Sequence, residues 1–427
     1  MRILLVSHGY PPERVGGTET YTMNLARALS ASDKVAVFTR THSEGVDFEL
    51  VKRMDGIIEV TAVRNNYVSF NQYDAHYNNP YIDKIFGRFL DDFQPDVVHF
   101  TYFLGGLSAG CLLESASRKI RTVCTLTDFH PICAWGQLLT HDGKECEGPD
   151  EGVRCASCFC GEEPYRGVSW WRRVWLKSKS AKDKVNYLTS PGFQRMRKRL
   201  DYIRQMLLKA DVIISPTIFL KEVYEKNGVT SSHLPFAIDS KIFAGFQRKE
   251  ADIFRIAFIG TLLPLKGLHI LVEALGKIGD DVPPWILKVY GDEKGEKEKK
   301  YLDEVMRRAS DRVKFCGTFE TQKIKEIYED IDLLVIPSLW AENSPMVLLF
   351  ALHTATPVVS ADIRGVKDVA GEDGAFYYPS MNVKNLTKTL KKILMDKNVL
   401  QRLKKVKVQS MEEHIVELKR LYGGGES

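Results

Sequence analysis

No stretch of the 427 residues approaches the roughly 20 apolar positions that a membrane-spanning helix needs. The opening, MRILLVSHGYPPERVGG, turns polar at Ser7 and His8 and lacks the apolar core of a secretory signal, so a cytoplasmic chain is expected. An excess of one charge sign is missing too. Sixty basic residues face 55 acidic ones, and the net +5 implies no nucleic-acid partner. No nucleic-acid-binding module accompanies that charge. Short-period repeats are absent, which argues against a solenoid. A shortage of apolar residues is not among the absences: 44% apolar and 27% charged is a globular composition, which excludes wholesale disorder. At this length two domains are expected.

What the chain does have is alternation of strand and helix signals. RILLV (Arg2 to Val6), VAVFT (Val35 to Thr39), PDVVHF (Pro95 to Phe100), TVCTL (Thr122 to Leu126) and ADVIISP (Ala210 to Pro216) are short apolar runs of the buried parallel-strand type. A helix capped at Thr18 and running to Leu29 follows the first. The second half repeats the pattern with FRIAFIG (Phe254 to Gly260), ILKVYG (Ile286 to Gly291), RVKFCG (Arg312 to Gly317), DLLVIP (Asp332 to Pro337) and PVVSA (Pro357 to Ala361). Such alternation predicts an α/β protein of two doubly wound, Rossmann-like domains. The expected limits are 1–245 and 246–380, followed by C-terminal helices over 381–427. Within the first domain, 131–165 forms a Cys-rich insertion and 166–209 a basic segment.

Three short motifs carry chemistry. Gly16 and Gly17 follow the first strand and open the first helix, where bare backbone and a helix N-terminus suit a diphosphate; a plain glycine turn explains them equally well. In FIGTLLPLKG, Lys266 stands in a strand-to-helix loop where it can neutralise phosphate, although a solvated lysine is the simpler reading in isolation. In SLWAENSPMVLLFAL, Glu342 is followed by Asn343, Ser344 and Pro345, then by Met346 and Val347 at a helix start. Glu342 can accept hydrogen bonds from sugar hydroxyls, or simply complement the helix dipole.

Taken together, GGTE near the first strand, the G-x5-KG of Gly260, Lys266 and Gly267, the ENSP loop and PVVSADIRGVKDVA make the chain resemble a glycosyltransferase of family 4. The likeness covers residue 1 to about 420. It implies the GT-B fold, two Rossmann-like domains facing a cleft. It also implies retaining transfer from a nucleotide-diphosphate sugar without a catalytic metal. The N-terminal domain would hold a glycan or lipid-linked acceptor and the C-terminal domain the donor. Lys266, Gly16 and Gly17 would stabilise the leaving diphosphate, with Asn343, Ser344, Met346 and Val347 lining the donor site. Glu342 would orient the donor sugar, and Asp128 or His130 would position sugar or acceptor. Three positions depart from the family pattern. Phe350 stands where a second glutamate usually holds the ribose, Thr261 where an arginine often follows the glycine, and His130 follows Asp128 instead of a histidine preceding it. Phe350 and Thr261 are the features that favour a non-catalytic binding or scaffold protein of the same fold.

Seven of the eight cysteines fall between Cys111 and Cys160. Cys133, Cys146, Cys155 and Cys158 read C-x12-C-x8-C-x2-C, which suits a structural zinc site. An iron–sulfur cluster, or no metal at all, is the alternative, and Cys160 is a spare ligand. Cysteine chemistry alone would suit a redox or metal-handling protein. Cys111, Cys124 and Cys316 read as small core residues. Residues 166–209 carry 13 Lys and Arg against two Asp, with Trp170, Trp171 and Trp175 at the start. That composition suits an anionic membrane surface, placing the chain peripherally on the inner face of the plasma membrane; a solvated helical face is the plainer alternative.

Overall fold

The computed structural model describes residues 1–67, 72–140, 143–149, 152, 155, 158, 191–292, 295–320 and 323–423. It divides into two compact units. The first is Met1–Pro235 with Glu412–Ser427, and the second is Phe236–Met411.

The first unit is built on an eight-stranded sheet: β1 (Arg2–Val6), β2 (Lys34–Thr41), β3 (Leu50–Asp55), β4 (Ile58–Arg64), β5 (Val97–Phe100), β6 (Arg121–Thr125), β7 (Val212–Ser215) and β8 (Ser232–His233). Their order is β3-β4-β2-β1-β5-β6-β7-β8. All pairs are parallel except β3 with β4. The second unit holds β9 (Phe254–Ile259), β10 (Trp285–Tyr290), β11 (Val313–Gly317), β12 (Leu333–Ile336), β13 (Val358–Ala361) and β14 (Phe376–Tyr378), ordered β11-β10-β9-β12-β13-β14 and wholly parallel. Ile3, Leu4, Leu5 and Val6 are fully buried, as are Ile256, Ala257, Leu333 and Leu334. Strands covered on both faces have no solvent side, which is why they read as unbroken apolar runs.

This strand order marks the place where doubly wound sheets open a crevice. β1 lies between β2 and β5, and β9 lies between β10 and β12, so the winding reverses at β1 in one sheet and at β9 in the other. In doubly wound sheets the crevice at the carboxyl ends of the strands flanking that reversal receives the ligand. The relevant connections are the β1 loop leading to helix α1 (Gly17–Leu29) in the first unit, and those after β9 and β12 in the second.

The hairpin β3–β4 is not among the strands expected from sequence. Its first strand, LVKRMD, is an edge strand with Leu50, Val51 and Met54 exposed, so it shows no buried run. Its signal is the turn: Asp55 precedes Gly56, whose φ of 60° is the left-handed conformation such tight connections demand.

The unit limits differ from those expected over 1–245, 246–380 and 381–427. Helix 383–395 stays with the second unit, whereas all but the first residue of the terminal helix 411–421 belongs to the first. Buried polar contacts fasten that terminal segment. His99 Nδ1 lies 2.7 Å from Tyr422 Oη, and His99 Nε2 lies 2.7 Å from Thr125 Oγ1. His414 Nε2 lies 2.7 Å from Tyr21 Oη.

These histidines give the fold a pH dependence. Burial lowers His99 from 6.5 to about 3, aided by His414. Burial likewise lowers His414 to about 4. The unfolded chain therefore binds more protons below pH 6.5, and stability is lost as pH falls through the window from there to about 4. His414→Gln is expected to flatten urea-denaturation stability plotted against pH between 6 and 4.5, removing about one proton from the uptake on unfolding. Comparison with wild type cancels the opposite contribution of Asp83, which burial raises to about 6. An unchanged slope would show that His414 is not buried in its neutral form.

Candidate functional site

In the second unit, the loops after β9 and β12 join. Leu339 N–H donates to Leu265 O at 2.8 Å. Lys266 Nζ then reaches Glu342 Oε1 at 2.6 Å and lies 5.3 Å from the Trp340 ring centroid. Ser338 Oγ donates to the same carboxylate oxygen at 2.7 Å. Glu342 is 5% exposed, so this lysine and hydroxyl are what make its burial tolerable. Gly365 pins the loop from behind: a Cβ there would stand 1.6 Å from Glu342 O and 2.7 Å from Asn343 O. Any side chain would push the Glu342–Asn343 backbone away.

Asn343 and Ser344 are buried and lead into helix 346–353, preceded by Pro345. Met346 and Val347 occupy its first turn, where N–H groups have no acceptor within the helix and attract anions. Thr261 is half-buried at the end of β9, its carbonyl accepting from Leu263 N–H at 2.9 Å. Phe350 is buried, 4% exposed, with its ring centroid 5.5 Å from Phe243 and 6.2 Å from Tyr328. Its side chain thus sits in an aromatic cluster.

In the first unit, Gly16 caps α1 in extended conformation and Gly17 is the helix's first residue. Glu19 fills the space beside them, its Oε2 standing 2.6 Å from where a Gly16 Cβ would be. That carboxylate is almost wholly buried and takes Arg14 Nε at 2.7 Å and His8 Nε2 at 3.3 Å. His8 packs on Tyr102 with centroids 3.9 Å apart. Next to Tyr102 stand the two predicted residues from the loop after β6. Asp128 accepts from His130 N–H at 2.9 Å and from His130 Nδ1–H at 2.6 Å, so one carboxylate sets both backbone and ring. Burial, together with Asp128, holds the Tyr102 phenol well above its ordinary value. Arg199, from helix 191–207, donates through Nη2 to His130 O at 2.6 Å, while among the described residues its buried Nη1 has no hydrogen-bond partner.

Sequence reasoning named Asp128, His130, Lys266 and Glu342 singly, and the structure joins them in two pairs. It missed His8, Arg14, Glu19, Tyr102 and Arg199. Glu19 carried a signal, standing three residues after the helix-capping Gly16, where a carboxylate can reach back to the helix start.

Cys133, Cys146, Cys155 and Cys158 all line one small cavity. The seven described cysteines are thiols, and burial with the three neighbouring thiols pushes Cys155 upward. Among the described residues, no three His, Cys, Asp or Glu side chains stand in metal-holding geometry. Cys111 and Cys124 are buried in the core, as expected, whereas Cys316 is exposed. Trp170, Trp171 and Trp175, and Cys160, lie outside the described residues. Among the described residues no helix is long and apolar enough to cross a membrane.

Comparison with known proteins now adds to this geometry. The family model "Glycosyl transferases group 1" matches residues 241–408, and "Glycosyltransferase Family 4" matches 15–140. A glycogen synthase of Mycobacterium tuberculosis is 23% identical over 94% of this chain and 88% of its own. Spore coat protein SA of Bacillus subtilis is 25% identical over 37% of this chain, and the match spans 44% of that protein. Among solved structures, sucrose-phosphate synthase of Thermosynechococcus elongatus matches with a TM-score of 0.66 at 17% identity, covering 99% of this chain and 98% of that one. Anabaena Alr3699/HepE, solved in complex with UDP and glucose, matches with a TM-score of 0.62 at 14% identity over 99% of both chains. These last two likenesses concern the fold.

Proposed function

Because the chain belongs to the family 4, group 1 glycosyltransferases, we propose that it transfers a sugar with retention from a nucleotide-diphosphate sugar to a glycan or lipid-linked acceptor. The observation that carries this reading is the Lys266–Glu342 pair beside the N-terminus of helix 346–353. A cation and free N–H groups suit the diphosphate, while an adjacent carboxylate suits sugar hydroxyls. UDP in the structural relative makes a uridine nucleotide the first donor to try.

In the proposed reaction the bond between the anomeric carbon and the diphosphate oxygen breaks. Negative charge grows on the leaving phosphate, where Lys266 and the helix N–H groups oppose it. The acceptor hydroxyl attacks from the face the phosphate leaves, and its proton passes to a phosphate oxygen. Glu342 holds the sugar. Asp128 and His130 position the acceptor. Nearby Arg199 is a buried guanidinium that donates to His130 O, and its positive charge suits an acceptor carrying phosphate, as a lipid-linked sugar does. Such an acceptor would bring the protein to the inner face of the plasma membrane from the cytoplasm, with the basic segment 166–209 against anionic lipid. No catalytic metal enters this scheme.

A scaffold protein of the same fold is the second reading, favoured by Phe350 and Thr261. A calorimetric screen of UDP-, GDP-, ADP- and CMP-sugars separates the two. An enzyme is expected to bind at least one of them saturably and to consume it when acceptor is supplied. Failure to bind any would transfer the assignment to the scaffold.

A further inference from the structure

The four-cysteine cavity is not used by the proposed reaction, yet it adjoins the residues that are. Three separate stretches deliver its thiols. Cys133 N–H donates to Phe129 O at 2.7 Å, and Gly136 N–H closes the following turn on Cys133 O at 2.8 Å. Cys146 N–H donates to Leu138 O at 2.7 Å, next to a short antiparallel bridge between Leu139 and Glu145. The knuckle after it places Gly148 N–H 3.5 Å from Cys146 Sγ, the kind of outer contact that supports a ligating sulfur. Cys155 packs on Met196 and Leu200 of helix 191–207. The cavity these thiols line measures about 10 Å³, room for about one water-sized sphere. That leaves room for a single ion between the thiols.

The same segments hold the Asp128–His130 pair. The Cys133 turn lies against the imidazole: Gly136 has φ 69°, and a Cβ on it would stand 2.2 Å from His130 Cε1. Arg199, on the helix that supports Cys155, bonds His130 O. Closing the four sulfurs on one ion would therefore fix the His130 ring from the Cys133 side and its carbonyl from the Arg199 side.

We propose that Cys133, Cys146, Cys155 and Cys158 bind one zinc ion as thiolates, releasing their protons to solvent, and that this closed site is a positioning device for Asp128 and His130. Tetrahedral four-sulfur zinc has no open position, so its role is structural. The metal assignment stands independently of the reaction proposed above.

The test begins with elemental analysis of the full chain purified under reducing conditions without chelator, which is expected to give about one zinc per chain. Single Cys→Ser changes at 133, 146, 155 and 158 should each lower that figure severalfold, while Cys111→Ser, Cys160→Ser and Cys316→Ser should keep it. If the ligand variants do not fold, titration of wild type with a mercurial should release one zinc as the four ligand thiols react, after exposed Cys316 has been modified without release. Zinc removal should also shift the His130 ring signals in a histidine NMR spectrum. Neither zinc nor uptake of added zinc, or iron with visible absorption, would overturn the site. Zinc lost from Cys160→Ser but kept in Cys146→Ser would overturn the ligand set. Unmoved His130 signals would overturn the positioning role.

Discussion

Lys266→Ala is expected to weaken nucleotide-sugar binding by about 10- to 150-fold, the loss of roughly 1.5–3 kcal/mol from one charge-assisted contact. The Glu342 pair adds to the effect. Removing the lysine leaves a carboxylate that is 5% exposed beside the proposed diphosphate, and that charge then repels the ligand. Glu342→Gln has the opposite consequence for binding. It frees Lys266 from its 2.6 Å ion pair, so donor affinity is kept or improved while turnover falls, because the proposed partner of Glu342 is the sugar being transferred. Calorimetry on both single variants and the double variant checks this. The double variant should bind donor better than Lys266→Ala alone. Equal binding by wild type and Lys266→Ala would remove the lysine from the donor site.

Phe350→Glu is expected to destabilise the second unit strongly. A side chain 4% exposed, packed on Phe243 and Tyr328, would be replaced by an unpaired carboxylate. Losing the ring alone costs about 3–5 kcal/mol by analogy with Phe→Ala. Burying the acid unpaired adds to that. Urea denaturation followed by tryptophan fluorescence should show a clearly lower midpoint, with no gain in donor affinity. A variant of undiminished stability that binds a nucleotide sugar more tightly would place position 350 in the ribose site.

Much of the fold was legible because both sheets bury their strands. Runs such as RILLV and FRIAFI have four or more consecutive buried residues, and continuous burial leaves a continuous apolar signature. The β3–β4 hairpin escaped for the opposite reason, since LVKRMD borders solvent. The crossing of the terminal helix to the first unit was also hidden. Its fasteners, His99 with Tyr422 and Tyr21 with His414, join residues more than 300 positions apart.

The site was legible one residue at a time. Lys266 and Glu342 each sit in a motif, but their contact depends on β9 and β12 being neighbours, and spacing along the chain does not encode that adjacency. Phe350 was ambiguous in sequence because MVLLFALH is apolar all round, so no face of that helix is marked for core or ligand. Glu19 was missed because its partners, His8 and Arg14, come from the far side of a loop.

The central claim, that a nucleotide-diphosphate sugar is cleaved at the Lys266–Glu342 site with retention, is tested most directly by proton NMR of wild-type protein with its best-binding donor and a lipid-linked acceptor. The expected spectrum shows nucleoside diphosphate accumulating while the transferred sugar keeps its anomeric configuration, with the reaction strongly slowed in Glu342→Gln. Transfer with inverted configuration, or a rate untouched by Glu342→Gln, would contradict it.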